Sequence, residues 1–438
     1  MESQRNAEDG HGKRVEPAAS LSGRGAARSP NAERQVTRGR FEGLYAYRGI
    51  AALSLVVFHT YQYSREGTGA DKYVYEGTVW DTLFKALDVT VWFFVLSGFL
   101  IFLPFARAAI KHGNPPAVLD FLIRRAIRIV PVYYAAIILV WTWRYSGSAG
   151  QWTDLLQHLT FTQVFSREHI FWTIGPSWAL ALIVQFYVFV AFAAPLAYWV
   201  CSQVAAPERR AVLLAGVVAA LGVLSVAYKW WAFYIADIPK TDWPVYFGPL
   251  ANLDAFAIGM LLAVIVAARQ PNMNQLAPST LMLTAAAIIV ATIVGTESEL
   301  VDLYFHTLLG LAFALLLAAT VLAPRTSPWL HVLRLPLLHY LGLIWYGIFL
   351  WHEPILLELG KRGLLIDPAP KAFLQNVVIL VLLSVAAGTL SYSLIERPVT
   401  NLRYLLTREG RLTRHLSEED EPMTDPVTPP SGRTGPGR

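Results

Sequence analysis

Two ionisable side chains lie inside one apolar segment, LYAYRGIAALSLVVFHTYQY, close to the start of the hydrophobic part of the chain. Arg48 and His59 are eleven positions apart, which is close to three helical turns, so a helix carries both on one face about 16 Å apart along its axis. An ionisable group in hydrocarbon is costly and is expected to face the protein interior and to have a function. A neutral His59 is a candidate general base or nucleophile. The structural alternative is a snorkelling arginine with an internally hydrogen-bonded histidine.

A group of arginines follows in FLIRRAIRIVP, residues 121 to 131, on the loop that leads into the third apolar segment. Arg125 and Arg128 are three positions apart and project from one helix face, with Arg124 beside them. Planar guanidinium groups are well suited to phosphate. From charge alone, the same arginines also fit an anchor that holds this loop in the cytoplasm.

Three further polar residues are candidates for the same chemistry. Asp254 is a candidate to orient the imidazole of His59. His352, in YGIFLWHEPIL, is a candidate second catalytic group, a hydrogen-bonded packing residue or a contact for the acceptor. For Glu396, at the end of the last apolar segment, the residues favour a helix cap or a partner of an inner arginine over catalysis.

Several common chemical motifs are absent from the sequence. No glycine loop of the Walker or Rossmann type occurs, and HEP at 352–354 lacks the second histidine of a zinc-protease helix, so no metal is implied. The single cysteine, Cys201, cannot form an intramolecular disulfide. Ser97 and Gly98, in FFVLSGF, predict a close contact between membrane helices.

The composition indicates the setting in which these residues act. Of 438 residues, 55% are hydrophobic and only 15% are charged, against about a quarter charged in a typical globular chain. This balance excludes a soluble enzyme and a disordered protein. The net charge of +5 arises from arginines in the polar ends and beside the apolar runs, which points to membrane orientation and not to nucleic acid.

Ten apolar segments are each about long enough to cross a hydrocarbon core of roughly 30 Å as a helix. We therefore predict an all-α bundle of about ten transmembrane helices. The segments are approximately 44–63, 86–106, 129–147, 173–200, 211–235, 246–268, 278–295, 304–323, 337–358 and 374–394. The stretch 151–165 is too short and polar to span, and it predicts a helix lying at the membrane interface.

The two ends of the chain are polar. Residues 1–40 contain no apolar run, so they predict a disordered tail and not a cleaved signal peptide, and residues 406–438 predict a second tail. Lys and Arg are more frequent in the loops on the side of the N-terminus than in the loops on the opposite side. Lys229 is counted among the loops on the opposite side. This bias and the even number of spans predict that both termini are cytoplasmic.

Alternating span directions place the polar residues at two depths. His59, His352 and Asp254 fall in the outer half of the membrane. Arg48 falls near the inner level, where Arg125, Arg128 and Glu396 meet the cytoplasm.

The order of the motifs resembles the integral-membrane acyltransferase 3 family. The resemblance covers roughly residues 41–405 and includes Tyr187 in the fourth segment. The motifs are RGIAALSLVVFH, FFVLSGFLI, RRAIRIVPVYY, SWALALIVQFY, LDAFAIGMLLA, YGIFLWHEPIL and SYSLIERP.

The resemblance implies a multi-pass enzyme of the bacterial inner membrane that transfers an acyl group, notably acetyl, from cytoplasmic acyl-CoA to a hydroxyl of a glycan or glycosylated metabolite. It implies that Arg48 and His59 are required, and that the arginines at 124, 125 and 128 bind the acyl-CoA. Acyl-CoA is then a co-substrate, with no permanently bound cofactor. An acyl-CoA held by the inner arginines is expected to thread its pantetheine arm towards His59.

Two positions depart from the pattern of the family. Ile183 stands where relatives commonly have glutamate, and Asn252 stands where they often have arginine before Asp254. Losing an acid and a base together is consistent with removal of a paired interaction as a unit. It is also consistent with a changed substrate or impaired activity.

Two other functions fit ten spans with buried charges. One is a transporter or flippase of a polar or lipid-linked metabolite, although such proteins tend to show repeated halves and the Arg48–His59 face has no counterpart in a later span. The other is a catalytically silent relative that acts as a membrane partner, which Ile183 alone supports.

Overall fold

The computed structural model of the protein describes residues 43–145, 151–268, 276–324, 327–365 and 370–406. The tails predicted for 1–40 and 406–438 lie outside these residues, apart from Leu406. Whether they are disordered therefore stays a prediction.

The regular secondary structure of the described residues consists of helices and contains no β-strand, which confirms the predicted all-α class. Four single turns of 3₁₀- or π-helix lie at Gln163–Phe165, Trp231–Ile235, Gly295–Glu297 and Tyr392–Glu396. The α-helices, in chain order, are α1 Leu44–Glu66, α2 Val79–Lys85, α3 Thr90–Lys111, α4 Val118–Tyr145, α5 Trp152–Leu159, α6 Ser177–Ser202, α7 Pro207–Trp230, α8 Trp243–Tyr246, α9 Leu253–Ala268, α10 Leu276–Val294, α11 Glu299–Leu303, α12 Phe305–Val321, α13 Pro328–Leu333, α14 Pro336–Lys361, α15 Pro370–Ser391 and α16 Arg397–Leu406.

Seven helical stretches among the described residues are long and apolar enough to cross a membrane: Val79–Lys111, Val118–Tyr145, Ser177–Ser202, Pro207–Ile235, Ala277–Glu297, Pro336–Lys361 and Ala372–Asn401. Two shorter apolar helices are Leu253–Ala268 and Phe305–Val321. Helix α1 is also long, but ionisable residues, including Arg48 and His59, interrupt its apolar sequence. The multi-pass character is therefore present, whereas the count of ten spans and the orientation of the termini stay predictions.

Helix α4 begins well before the predicted third segment. It runs without interruption from Val118 through the arginine motif, with Pro131 inside it. Leu, Ile, Ala and Arg are compatible with a helix, and the ring of Pro131 removes only one backbone donor from a helix that continues on both sides. Arg124, Arg125 and Arg128 therefore lie on one helix, as the spacing of Arg125 and Arg128 predicts, and this helix includes the segment expected to connect two spans.

Glycines set the closest helix crossings. A Cβ at Gly98 or at Gly259 would meet backbone atoms of the opposite helix, so α3 and α9 pack backbone against backbone. The same holds for Gly49 and Gly342, where α1 crosses α14. The crossing at Gly49 and Gly342 fixes the relative position of α1 and α14, the two helices that carry His59 and His352.

The stretch 151–165 contains the short helix α5. Its polar residues Asp154 and His158 are fully buried, and Asp154 accepts a hydrogen bond from Thr173. The apolar side chains of Trp152 and Leu156 are instead exposed, at 62% and 60%. The helix thus turns its polar side towards the protein and its apolar side outward, while its position at a membrane interface stays a prediction.

Candidate functional site

Two histidines from distant parts of the sequence meet in the helix bundle. His59 Nδ1 lies 3.1 Å from His352 Nε2, and the ring centroids are 4.9 Å apart. His352 is fully buried behind His59, whereas His59 lines an open cavity. The structure therefore brings together two of the predicted catalytic residues.

Backbone carbonyls determine the proton positions on both rings. His59 Nδ1 is 2.9 Å from Leu55 O, and His352 Nδ1 is 3.1 Å from Ile348 O. A carbonyl oxygen only accepts hydrogen bonds, so both Nδ1 atoms carry the proton in the neutral rings. His352 Nε2 then accepts from the Nδ1–H of His59, which is shared with Leu55 O. The lone pair of His59 therefore resides on Nε2, the nitrogen suited to act as a base.

A cavity of about 560 Å³, here called the histidine cavity, opens beside His59 at the C-terminal end of α1. Its volume is within the range of about 300–1,000 Å³ that is typical of small-molecule sites. The lining combines aromatic rings with polar groups. The polar residues of the lining besides His59 are Gln62, Glu66, Asp88, Thr90 and Glu353.

Protein donors hold the carboxylates of this cavity. Glu353 Oε2 accepts a hydrogen bond of 2.8 Å from the backbone N–H of Gly175. Glu66 accepts from the hydroxyl of Tyr73. Burial and the neighbouring Glu66 carboxylate raise the pKa of the Tyr73 hydroxyl, so this group stays protonated and remains a donor.

Asp88 is held at both of its oxygens. Thr90 Oγ1 donates to Asp88 Oδ1 over 2.8 Å, and His306 Nε2 lies 3.2 Å from Asp88 Oδ2. Asp88 is therefore fixed in the wall of the histidine cavity and has little capacity left for a ligand.

A narrow second cavity, here called the arginine throat, lies towards the other end of α1. Its volume is about 50 Å³, and its lining includes Arg48, Arg125, Arg128, Ile183 and Tyr187. Arg125 lies over the ring of Tyr187, with 5.8 Å between the guanidinium carbon and the ring centroid. No carboxylate occurs among the described residues that line the throat.

A third cavity, here called the basic cavity, adjoins the arginine throat and shares Arg125 and Arg128 with it. Its volume is about 980 Å³, and Arg124 and Arg397 also line it. Glu396 is in the same lining, where its Oε1 atom is buried without a hydrogen-bond partner among the described residues. The interpretation of Glu396 as a helix cap or arginine partner therefore stays a prediction.

Aromatic side chains separate the arginine throat from the histidine cavity. The two cavities share no lining residue. Phe93, in the throat, packs against Phe349 with centroids 5.7 Å apart, and Phe349 packs against His352 at 6.1 Å. Phe349 is 1% exposed. These rings form a partition between the arginines and the histidine pair.

The expected neighbour of Asp254 needs correction. Asp254 does not contact His59: it forms a buried ion pair of 2.7 Å with Lys229 and also bonds to Ser225 and Thr307. Lys229 is accordingly part of the buried interior of α7, at 7% exposure, and is not a loop residue. The orienting role expected of Asp254 is filled by His352 and Leu55 O.

Arg48 lies apart from His59 and with Arg125 and Arg128, as the alternating span directions predict, while its catalytic role stays a prediction. It lines the arginine throat and lies 5.8 Å from the ring centroid of Tyr45, whereas His59 lines the other cavity. Ser97 lines the throat as well, beside the Gly98 crossing. The structure thus groups Arg48 with Arg125 and Arg128.

Sequence reasoning missed Glu353 and the aromatic wall of the histidine cavity. Glu353 directly follows His352, but the HEP motif was weighed only as a metal motif. The aromatic wall comes from separate elements, at Phe171, Trp178, Trp243 and Phe247, and no local pattern joins them.

Comparisons with known proteins give a consistent result. Residues 41–396 match the family model Acyl_transf_3, described as an acyltransferase domain. The chain is 25% identical over 383 residues to "Putative peptidoglycan O-acetyltransferase YrhL" of Bacillus subtilis, an alignment that covers 82% of this chain and 54% of that protein. It is 27% identical over 297 residues to "Peptidoglycan O-acetyltransferase OatA" of Listeria monocytogenes, covering 60% and 44%. The chain thus spans about half the length of these relatives. No solved structure matches it.

Proposed function

The chain belongs to the Acyl_transf_3 family of acyltransferase domains, and on that premise we propose that it transfers an acetyl group from acetyl-CoA to a hydroxyl of a glycan. The observation that carries this proposal is the His59–His352 pair, which leaves a basic imidazole nitrogen beside a cavity of ligand size. The two relatives named as peptidoglycan O-acetyltransferases support a glycan acceptor and an acetyl donor.

The reaction joins an acceptor hydroxyl to the acyl group of a thioester, and the protein supplies the base. The acceptor hydroxyl gives its proton to His59 Nε2 while its oxygen attacks the carbonyl carbon of the thioester. The new C–O bond forms, the C–S bond breaks, and the proton passes from the imidazolium to the departing CoA sulfur. His352 Nε2 and Leu55 O accept from Nδ1–H of His59 and stabilise the imidazolium.

The donor is proposed to enter from the arginine side. The basic cavity offers space and guanidinium groups for the phosphates of CoA, and the arginine throat is narrow enough to hold a single chain such as the pantetheine arm. Passage of the thioester to His59 requires the partition at Phe93 and Phe349 to move. In the orientation predicted from the charge bias, the arginine side is cytoplasmic and the acceptor is used at the outer face of a bacterial cell membrane.

The experiment that tests this proposal follows label from donor to acceptor. Membranes containing the protein are incubated with radiolabelled acetyl-CoA, with or without peptidoglycan fragments or other glycans, and compared with membranes containing His59→Ala. Label in the glycan fraction that depends on His59 supports the proposal. Donor-independent movement of the glycan across the membrane would favour the transporter instead, and absence of both activities would favour the catalytically silent relative.

A further inference from the structure

The histidine cavity has a continuous aromatic wall. Trp178 and Phe247 lie with ring centroids 4.2 Å apart, and Trp243 lies 5.9 Å from Phe247. Phe171 completes the wall at 5.7 Å from Trp243. The faces of aromatic rings are electron-rich, so they attract the weakly positive C–H groups on the apolar face of a sugar ring. Such a wall beside a base suits a sugar ring with an apolar face better than a ligand that is charged or polar on all sides.

The charged groups of the same cavity are all of one sign. Glu66, Asp88 and Glu353 line it, and no lysine or arginine occurs among the described residues of the lining. Ionised carboxylates repel an anionic ligand, and the low dielectric of a partly enclosed cavity strengthens the repulsion. The charge of the cavity is therefore opposite to that of the arginine throat.

Glu353 is the less exposed of two carboxylates in this cavity, Glu66 and Glu353, that have an oxygen available for a ligand. Its Oε2 atom is bonded to the N–H of Gly175, whereas Oε1 has no hydrogen-bond partner among the described residues. A Cβ at position 175 would meet Oε1, so the glycine allows the carboxylate to lie against the backbone at this point. Both oxygens of Asp88 are already bonded, to Thr90 and His306. A ligand hydroxyl or amine in this cavity can thus donate to Glu353 Oε1.

We propose that the histidine cavity binds the acceptor as an uncharged or amine-bearing sugar, stacked on Trp178 and Trp243 and hydrogen-bonded to Glu353 Oε1, and that it rejects acidic sugars. The proposal rests on the function proposed above and defines the charge class of the acceptor. It also assigns Glu353 as the residue that determines this selection.

Binding is measured directly, with no donor present, on the purified full chain in lipid nanodiscs. The probes are β-1,4-linked trimers of glucose, glucosamine and glucuronic acid, which share a backbone and differ in charge. We expect the glucuronic acid trimer to bind at least tenfold more weakly than the other two. Equal affinity for all three, or binding of none, overturns the proposal.

Two substitutions test the assigned residues. Trp243→Ala is expected to weaken binding of the glucose trimer at least tenfold, and Trp243→Phe is expected to restore it. Glu353→Gln keeps an acceptor for the Gly175 N–H and is expected to narrow the discrimination between neutral and acidic trimers at least threefold. Trp199→Ala and Glu208→Gln, at exposed positions away from the cavity, serve as matched controls and should bind as the original chain does. An unchanged charge preference in Glu353→Gln contradicts the assignment.

The two proposals fail in different ways. Selective binding of neutral trimers without any label transfer from acetyl-CoA would reject the acyltransferase function and leave the sugar site standing. Label transfer with equal efficiency to neutral and acidic trimers would support the function and reject the charge selection.

Discussion

His352 Nε2 lies 3.1 Å from His59 Nδ1, although the two residues are 293 positions apart in the sequence. With Nδ1 of each ring facing a backbone carbonyl, this contact directs the proton of His59 away from the histidine cavity and leaves Nε2 as the base. A single geometric relationship thus accounts for both the tautomer and the direction of the reactive nitrogen.

His59→Ala is expected to reduce acetyl transfer by about 10²- to 10⁴-fold, the usual contribution of a general base. The amount of protein in the membrane should not change, because His59 lines a cavity and the close crossing of α1 and α14 is formed at Gly49 and Gly342. The check is the rate of label transfer normalised to the protein detected by immunoblot. Full transfer activity in this variant would exclude His59 as base and as nucleophile.

His352→Phe removes one of the two acceptors for Nδ1–H of His59 and is expected to lower kcat about 10- to 100-fold with little change in the KM for acetyl-CoA. Loss of folding is controlled by His352→Gln, which offers an amide oxygen near the position of Nε2 and should recover part of kcat. A packing role for His352 predicts the reverse order, with phenylalanine tolerated better than glutamine.

Arg128→Ala is expected to raise the KM for acetyl-CoA about tenfold or more, because Arg128 lines both the arginine throat and the basic cavity, while the KM for the acceptor stays unchanged. The measurement is initial rate against donor concentration at saturating acceptor. Arg209→Ala removes an exposed arginine that is predicted to lie on the same side of the membrane and should have no effect on this KM. Equal effects of the two substitutions would favour the orientation anchor.

Ile183→Glu provides an independent arm of the same test. The side chain lines the arginine throat, so a carboxylate there would neutralise part of the charge of Arg48, Arg125 and Arg128. We expect a higher KM for acetyl-CoA in Ile183→Glu and a near-normal value in Ile183→Leu. A lower KM with glutamate would show that the throat does not act on the anionic donor.

Lys229→Met is expected to destabilise the protein by about 3–5 kcal/mol, because it leaves Asp254 buried without its ionic partner. The double substitution Lys229→Met with Asp254→Leu removes both charges and should recover most of that loss, with acetyl transfer retained. Thermal unfolding in detergent and the label assay measure the two effects. Loss of transfer in a stable double variant would restore Asp254 as a catalytic candidate.

The positions of the helices were predicted better from the sequence than the contacts between residues of different helices. Long apolar segments identify α-helices because a backbone in hydrocarbon must satisfy its own hydrogen bonds, as a helix does. Each of the ten segments overlaps a helix in the structure. The spacing of the arginine motif predicts a shared helix face, but the motif was assigned to the connection before the third span, whereas Val118–Tyr145 is one continuous helix.

The candidate site was predicted only in part. Depth in the membrane follows from position along a span, so His59 and His352 were expected at one level. Depth does not specify the direction in which a side chain points around the bundle axis. The expected contact of Asp254 with His59 was therefore wrong, and Asp254 pairs with Lys229 instead. Glu353 and the aromatic wall depend on contacts between distant segments, which carry no local sequence signal.

In the proposed reaction, the acetyl group passes from an arginine side to a histidine side at opposite ends of α1. Sealed vesicles of known orientation test this path, with membrane-impermeant acetyl-CoA and a membrane-impermeant glycan supplied on chosen faces. We expect labelled glycan only when acetyl-CoA is on the face of the basic cavity and the glycan is on the face of the histidine cavity. Product formed only when both are on the face of the basic cavity would contradict it.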